Sequence, residues 1–116
     1  MPRKVTETSI QQAIRLALAD VCTLFRNNVG LAEYANGQKV KYGLCDGSSD
    51  LIGWTRVDGH AIFTAIEVKT PSGKIPTPAQ RNFIEQVNKA GGIAFVARSP
   101  EEALVKIQRG IERMKQ

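Results

Sequence analysis

Residues 47–69, GSSDLIGWTRVDGHAIFTAIEVK, decide the fold. Leu51 to Val57 and His60 to Lys69 are rich in β-branched and aromatic residues, and Asp58-Gly59 between them tolerates the positive backbone angles of a two-residue turn. The stretch therefore predicts a β-hairpin. In its second arm Ile62, Thr64, Ile66 and Val68 alternate with Ala61, Phe63, Ala65, Glu67 and Lys69. Successive strand side chains point to opposite faces, so Glu67 and Lys69 share a face while Val68 points away into the protein. Folding back about the turn carries Asp50, at the start of the first arm, close to Glu67 and Lys69.

Upstream, from Val5 to Cys22, the residues Ile10, Ala13, Ile14, Ala17, Leu18 and Val21 recur at helical spacing, with Glu7, Gln11 and Arg15 on another, polar stripe. This predicts an amphipathic helix. A strand-like run around Leu24 to Asn27 follows, and the glycine-, asparagine- and serine-rich chain from there to Asp50 reads mostly as loop, long enough to invite a functional role. Downstream, Thr70 to Pro76 breaks regular structure. Thr77-Pro78-Ala79-Gln80 then has the hydroxyl, first-turn proline and reciprocal side chain of a helix start, and Phe83, Ile84, Val87 and Ala90 continue that helix. Gly91-Gly92 ends it, Ile93 to Ala97 predicts a short apolar strand, and Ser99-Pro100-Glu101-Glu102 opens a last helix by the same capping device. The order predicts an α/β fold, a small mixed β-sheet flanked by helices.

The 116 residues carry 16 Lys and Arg against 11 Asp and Glu, a formal charge of +5. One domain over residues 1–116 is expected at this length. Cys22 and Cys45 form no close pair, and with one histidine they suggest no zinc site, so reduced, buried cysteines are expected. The basic start MPRKVTETS has no apolar run behind it and nothing later approaches the roughly 20 apolar residues of a membrane span, so a cytoplasmic protein without a membrane partner is expected. The positive excess suits a polyanionic partner.

Asp50 and Glu67 together offer two carboxylates, with a backbone carbonyl between Glu67 and Lys69, at one edge of a sheet. Hard oxygen ligands of this kind suit magnesium or manganese, and the chemistry they suggest is phosphoryl transfer. Lys69 supplies a cation that can contact the same phosphate or orient an attacking water. The same residues also suit an ordinary ion pair on a solvated strand face.

The ordered set resembles the VRR-NUC branch of the PD-(D/E)XK nuclease superfamily, in the form of the stand-alone members found in phages. The matching residues are Glu7, Arg26-Asn27-Asn28 followed by Gly30, Gly47-Ser48-Ser49-Asp50-Leu51-Ile52-Gly53, Glu67-Val68-Lys69 and Gln80. The resemblance implies a restriction-endonuclease-like core and a metal-dependent endodeoxyribonuclease selective for DNA structure, including four-way (Holliday) junctions, acting as a homodimer. It implies that Asp50, Glu67 and the Val68 carbonyl are ligands for Mg2+, with Mn2+ able to substitute. Lys69 and Gln80 would be catalytic, and Glu7 would join the metal site directly or through water.

Each assignment has an alternative in ordinary structure. Gln80 also completes a helix cap with Thr77, and Glu7 sits where a helix start favours acids. Arg26, Lys39, Lys41, Lys74 and Arg81 suit DNA phosphates or a solvated surface. Tyr34 and Tyr42 suit either exposed bases or loop packing, with packing favoured for Tyr42, while Trp54 and Phe63 suit core or subunit contact. The rival function is a non-catalytic nucleic-acid-binding or assembly subunit that retains the nuclease fold.

Overall fold

A computed structural model describes residues 5–116. The first four residues, part of the basic start considered above, lie outside the described residues. The chain runs α1 (Glu7–Ala17), β1 (Cys22–Arg26), β2 (Gly30–Glu33), β3 (Lys39–Tyr42), β4 (Leu51–Val57), β5 (His60–Val68), α2 (Pro78–Lys89), β6 (Ile93–Ala97) and α3 (Pro100–Met114).

The hairpin expected over residues 51–69 forms as β4 and β5, antiparallel, with Val57 opposite His60. Asp58 and Gly59 both have positive φ, 50° and 81°, as the two-residue turn requires. β1 adds to the outer edge of β4 in antiparallel register and β6 to β5 in parallel register, giving the order β1-β4-β5-β6. The parallel pair is joined through α2, which crosses one face. Ala65, Val87, Ala94 and the half-buried Ile52, Phe83 and Ile84 pack there. α1 and α3 cover the other face, where Ile10, Ile14, Leu18, Leu24, Leu51, Ile66, Val68, Ile93 and Ile107 make the larger core. This is the mixed sheet flanked by helices that the sequence predicts, with restriction-endonuclease-like architecture.

Several local expectations change. α1 stops at Ala17 rather than continuing to Cys22, because the Val21 carbonyl accepts from Arg56 N at 2.8 Å and Cys22 already pairs with Thr55, so the sheet captures this backbone. The stretch read as loop contains the β2–β3 hairpin. Its residues are almost all exposed, and neither strand packs extensively on another helix or strand, so neither has a buried face to impose periodicity. Asn36-Gly37 was the available signal, with Gly37 at φ 85°. At α3, Ser99 caps Glu102 N at 3.1 Å, but the Glu102 carboxylate accepts from Arg98 N at 2.6 Å, one residue earlier than a closed capping box. Both cysteines are free, Cys22 buried and Cys45 exposed, the latter contrary to expectation because the chain before Asp50 stays at the surface. Among the described residues no helix is long and apolar enough to cross a membrane.

Candidate active site

The site lies at the end of β5 remote from its turn. Leu51 pairs with Ile66, so Asp50, one residue before, comes level with Glu67, one residue after. Asp50 is fastened on both sides. Its carbonyl accepts from Asn27 N at 2.8 Å, extending the β1–β4 ladder, and its Oδ2 accepts from Val68 N at 2.7 Å. The loop leading into it is held by Asn27, whose Nδ2 donates to Ser48 Oγ at 2.7 Å and to the Ser49 carbonyl at 2.9 Å. Gly47, at φ 84°, permits the close approach of α2: a Cβ there would lie 2.7 Å from the Ala79 carbonyl. Asp50 is thus placed by β1, β5 and the start of α2 together.

Glu67 is 2% exposed and Lys69 is nearly buried, with Lys69 Nζ 4.0 Å from Glu67 Oε2. The solvated ion pair considered for these residues does not fit this burial. Glu67 Oε1 is buried and has no hydrogen-bond partner. Burial raises the Glu67 carboxyl most; the hydrogen bond and charge of Asp50 raise it further, Lys69 opposes, and the charge of Glu7 adds to the rise, to about 9. Two neighbouring carboxyl groups, one of them buried, cannot both ionise cheaply without a cation. That state, together with an orphaned carboxyl oxygen, is the environment a hard divalent ion would relieve. Among the described residues no three His, Cys, Asp or Glu side chains gather closely enough to hold a metal; Asp50 and Glu67 are the two neighbouring carboxyl groups that could offer oxygens to one. Magnesium takes few carboxylates and retains water, so this donor set fits it.

The remaining candidates distribute unevenly. Glu7 is exposed at the first position of α1 and reaches Glu67 through its charge. Gln80 closes the capping box: its Oε1 accepts from Thr77 N at 2.9 Å and its own N donates to Thr77 Oγ1 at 3.2 Å. Arg26 is exposed and, with Gln11, Asn28, Tyr42 and Asp50, lines a polar cleft of about 460 Å³ between α1 and the chain after β1. Lys39 and Lys41 stand on β3, and Lys41 pairs with Asp46 at 3.2 Å in solvent. Lys74 is exposed in the loop after Lys69. Arg81 lines a different depression, with Glu85, Lys89 and Arg113, and is not gathered into the cleft.

Four residues have roles that their sequence positions left unassigned. Asn27 ties the loop to the site, as above. Arg98 donates to the carbonyls of Thr70, Gly73 and Lys74 at 2.7, 3.3 and 3.2 Å, pinning the segment that leaves Lys69. The polar stripe of α1 is not simply solvated either: Gln11 is 8% exposed, and Arg15 Nε donates to the Leu24 carbonyl at 3.0 Å, because β1 and the chain after it lie against that side. For Gln11 the usable signal was its position one turn beyond Glu7. Trp54 and Phe63 are not core: they are 39% and 43% exposed on the part of the sheet that α2 leaves open, beside Phe25 and Leu44.

No curated protein matches the chain. A solved structure described as a VRR_NUC domain protein is similar to it with a TM-score of 0.60 and 24% identity, over 96% of this chain and 92% of that one, and this likeness carries the fold. The VRR-NUC domain family matches residues 6–101, a span that begins just before Glu7 and includes Asp50, Glu67, Lys69 and Gln80. The chain belongs to the VRR-NUC domain family.

Proposed function

We propose that this protein is a divalent-metal-dependent, structure-selective DNA endonuclease that hydrolyses phosphodiester bonds, acting as a homodimer on branched DNA such as four-way junctions. The observation that carries the reading is Glu67: a buried carboxyl with an unpartnered oxygen, set against Asp50 and raised to about 9, in a chain of a nuclease-domain family. Asp50, Glu67 and the Val68 carbonyl would hold Mg2+ or Mn2+, with Glu7, whose charge reaches Glu67, joining through water. When bound, the ion offsets charge developing on the phosphate and makes water nucleophilic.

The protein's own groups do the rest. Lys69, held beside Glu67, presents an ammonium to the phosphate or to the attacking water. Gln80 fixes the start of α2, which packs on the Gly47 loop, and its amide nitrogen, not used in the cap, would serve the reaction. Arg26, Lys39, Lys41, Lys74 and Arg81 contact backbone phosphates, which position DNA without reading its sequence. The open apolar patch of Phe25, Leu44, Trp54 and Phe63 suits burial against a second copy. Cleavage leaves a 5′-phosphate and a 3′-hydroxyl.

The test is cleavage of labelled four-way junction, flap, nicked and linear DNA in Mg2+ and Mn2+ by the natural protein and by Asp50→Asn. The expected result is metal-dependent cutting that favours a branched substrate and falls by about a hundredfold or more in the variant. Folded natural protein that binds DNA but leaves every substrate uncut would establish the non-catalytic binding subunit instead.

A further inference from the structure

The cleft beside Asp50 contains a group that the ligand and lysine chemistry leaves unused. Gln11 follows Glu7 by one turn of α1, so the two side chains lie on one face of the helix. At 8% exposure Gln11 is among the few buried polar residues of the protein, and glutamine is mostly found exposed. Its amide atoms are nonetheless not among the buried, unpartnered polar atoms of the described residues, so the part of Gln11 left open is its amide end. Among the described residues its side chain makes no hydrogen bond, although Arg15, one turn further along, is bonded to β1. Instead Gln11 lines the polar cleft with Asp50, Arg26, Asn28 and Tyr42.

The lining selects a ligand class. Asn27, also in the cleft, is engaged with Ser48 and Ser49 and is not available. Arg26, which is exposed, supplies positive charge, and Gln11 supplies neutral N–H donors from α1. A lysine or arginine at position 11 would add a charge to the cleft that Asp50 also lines, whereas an amide donates without one. The complement is an anion rich in acceptor oxygens that lies next to Asp50.

We propose that this cleft seats one phosphodiester of the bound strand, with Gln11 Nε2 donating to a non-bridging oxygen and Arg26 balancing its charge. The identity of the anion as a nucleic-acid phosphodiester rests on the nuclease reading above. Gln11 is then a substrate-contacting residue, and its buried position sets how deeply the strand enters beside Asp50.

The test uses the full chain as natural protein, Gln11→Met and Gln11→Glu. Gln11→Met removes the donor while keeping a side chain of similar length that suits burial, and Gln11→Glu keeps the shape but sets an anion against the phosphate. DNA affinity is measured by fluorescence anisotropy with a labelled four-way junction in Ca2+, cleavage in Mg2+, and Mn2+ binding to the protein alone by calorimetry. Loss of a hydrogen bond to a charged group predicts affinity weakened about tenfold in Gln11→Met and more in Gln11→Glu, with Mn2+ binding by Gln11→Met within about twofold of the natural protein. In the natural protein the side-chain amide signal of Gln11, assigned by its loss in Gln11→Met, shifts when DNA is added. An unmoved signal, or unchanged affinity in both variants, overturns the proposal. The binding and amide readouts decide it even if the natural protein cuts nothing, an outcome that removes the nuclease reading alone; natural protein that binds no DNA at low salt removes both.

Discussion

Glu85 and Lys89 face one another across a turn of α2 at 3.1 Å, with 61% and 67% of their side chains in water; Glu67 and Lys69 stand 4.0 Å apart at the end of β5, with 3% and 13% exposed. The first pair has the better geometry and the lesser consequence. In water two exposed charges gain little from meeting, because solvent screens them and both long side chains lose freedom. At the end of β5, burial and the neighbouring Asp50 raise Glu67 to about 9, and a lysine at 4.0 Å does not restore an ordinary carboxylate. The position of Glu67 is therefore poorly explained as an ion pair that stabilises the fold. The metal site proposed above accounts for it instead.

The largest expected effect breaks the comparison at Glu67. Glu67→Gln should lower metal-dependent cleavage by about a hundredfold or more, since a ligand is lost, and leave the metal-free protein at least as stable as before. The amide resembles the protonated acid that the fold already holds near neutral pH. A buried ion pair that served stability would behave oppositely, costing about 3–5 kcal/mol when broken. Single-turnover cleavage and thermal melting, run on the same preparations, separate the two.

Next in size is the pH dependence of the metal-free protein. Glu67 titrates at about 4.5 in the unfolded chain and at about 9 in the fold. Between those values the folded state holds a proton that the unfolded state has released, so the contribution of Glu67 to stability is full below about 4.5 and is lost as pH rises toward 9. Urea unfolding from pH 5 to pH 9 should show this decline. Glu67→Gln should flatten it, and Glu85→Gln should leave it in place.

Part of this site is legible in the sequence. A two-residue turn fixes the β4–β5 register, and that register alone puts Asp50 level with Glu67. The cap signals at Thr77 and Ser99 are local and were readable for the same reason. What escaped depends on burial by distant chain. Gln11 and Arg15 look solvated on a helical wheel, yet β1 and the cleft enclose them. Residues 30–42 form a hairpin whose side chains lack a buried face, so alternation carried no signal there. The carbonyls held by Arg98 are 24 to 28 residues earlier in the chain.

Arg98 gives an intermediate effect and tests whether the loop after Lys69 must be held. Arg98→Ala frees the carbonyls of Thr70, Gly73 and Lys74, and should cost about 1–3 kcal/mol in stability together with about a tenfold loss of cleavage as Lys69 loses its fixed placement. Arg98→Lys should restore only part of both, because one ammonium lacks the planar fork that spans separate acceptors. Loss of stability without any change in the cleavage rate of the folded fraction would detach the loop from the site.

The smallest effect lies at the exposed pair. A double-mutant cycle over Glu85→Gln and Lys89→Gln should give a coupling of about 0.3–0.5 kcal/mol at low salt, fading as ionic strength rises. Each single variant should change single-turnover cleavage far less than Glu67→Gln does, since neither Glu85 nor Lys89 lines the cleft beside Asp50. The cycle decides what distinguishes the two pairs. A coupling well above about 1 kcal/mol would mean that short distance suffices to make such a pair strong, and the 4.0 Å separation at Lys69 would then be enough to explain why Glu67 stays raised. A small, salt-sensitive coupling leaves burial and the presence of Asp50 as the difference, because the pair with the shorter contact would then be the one that contributes least.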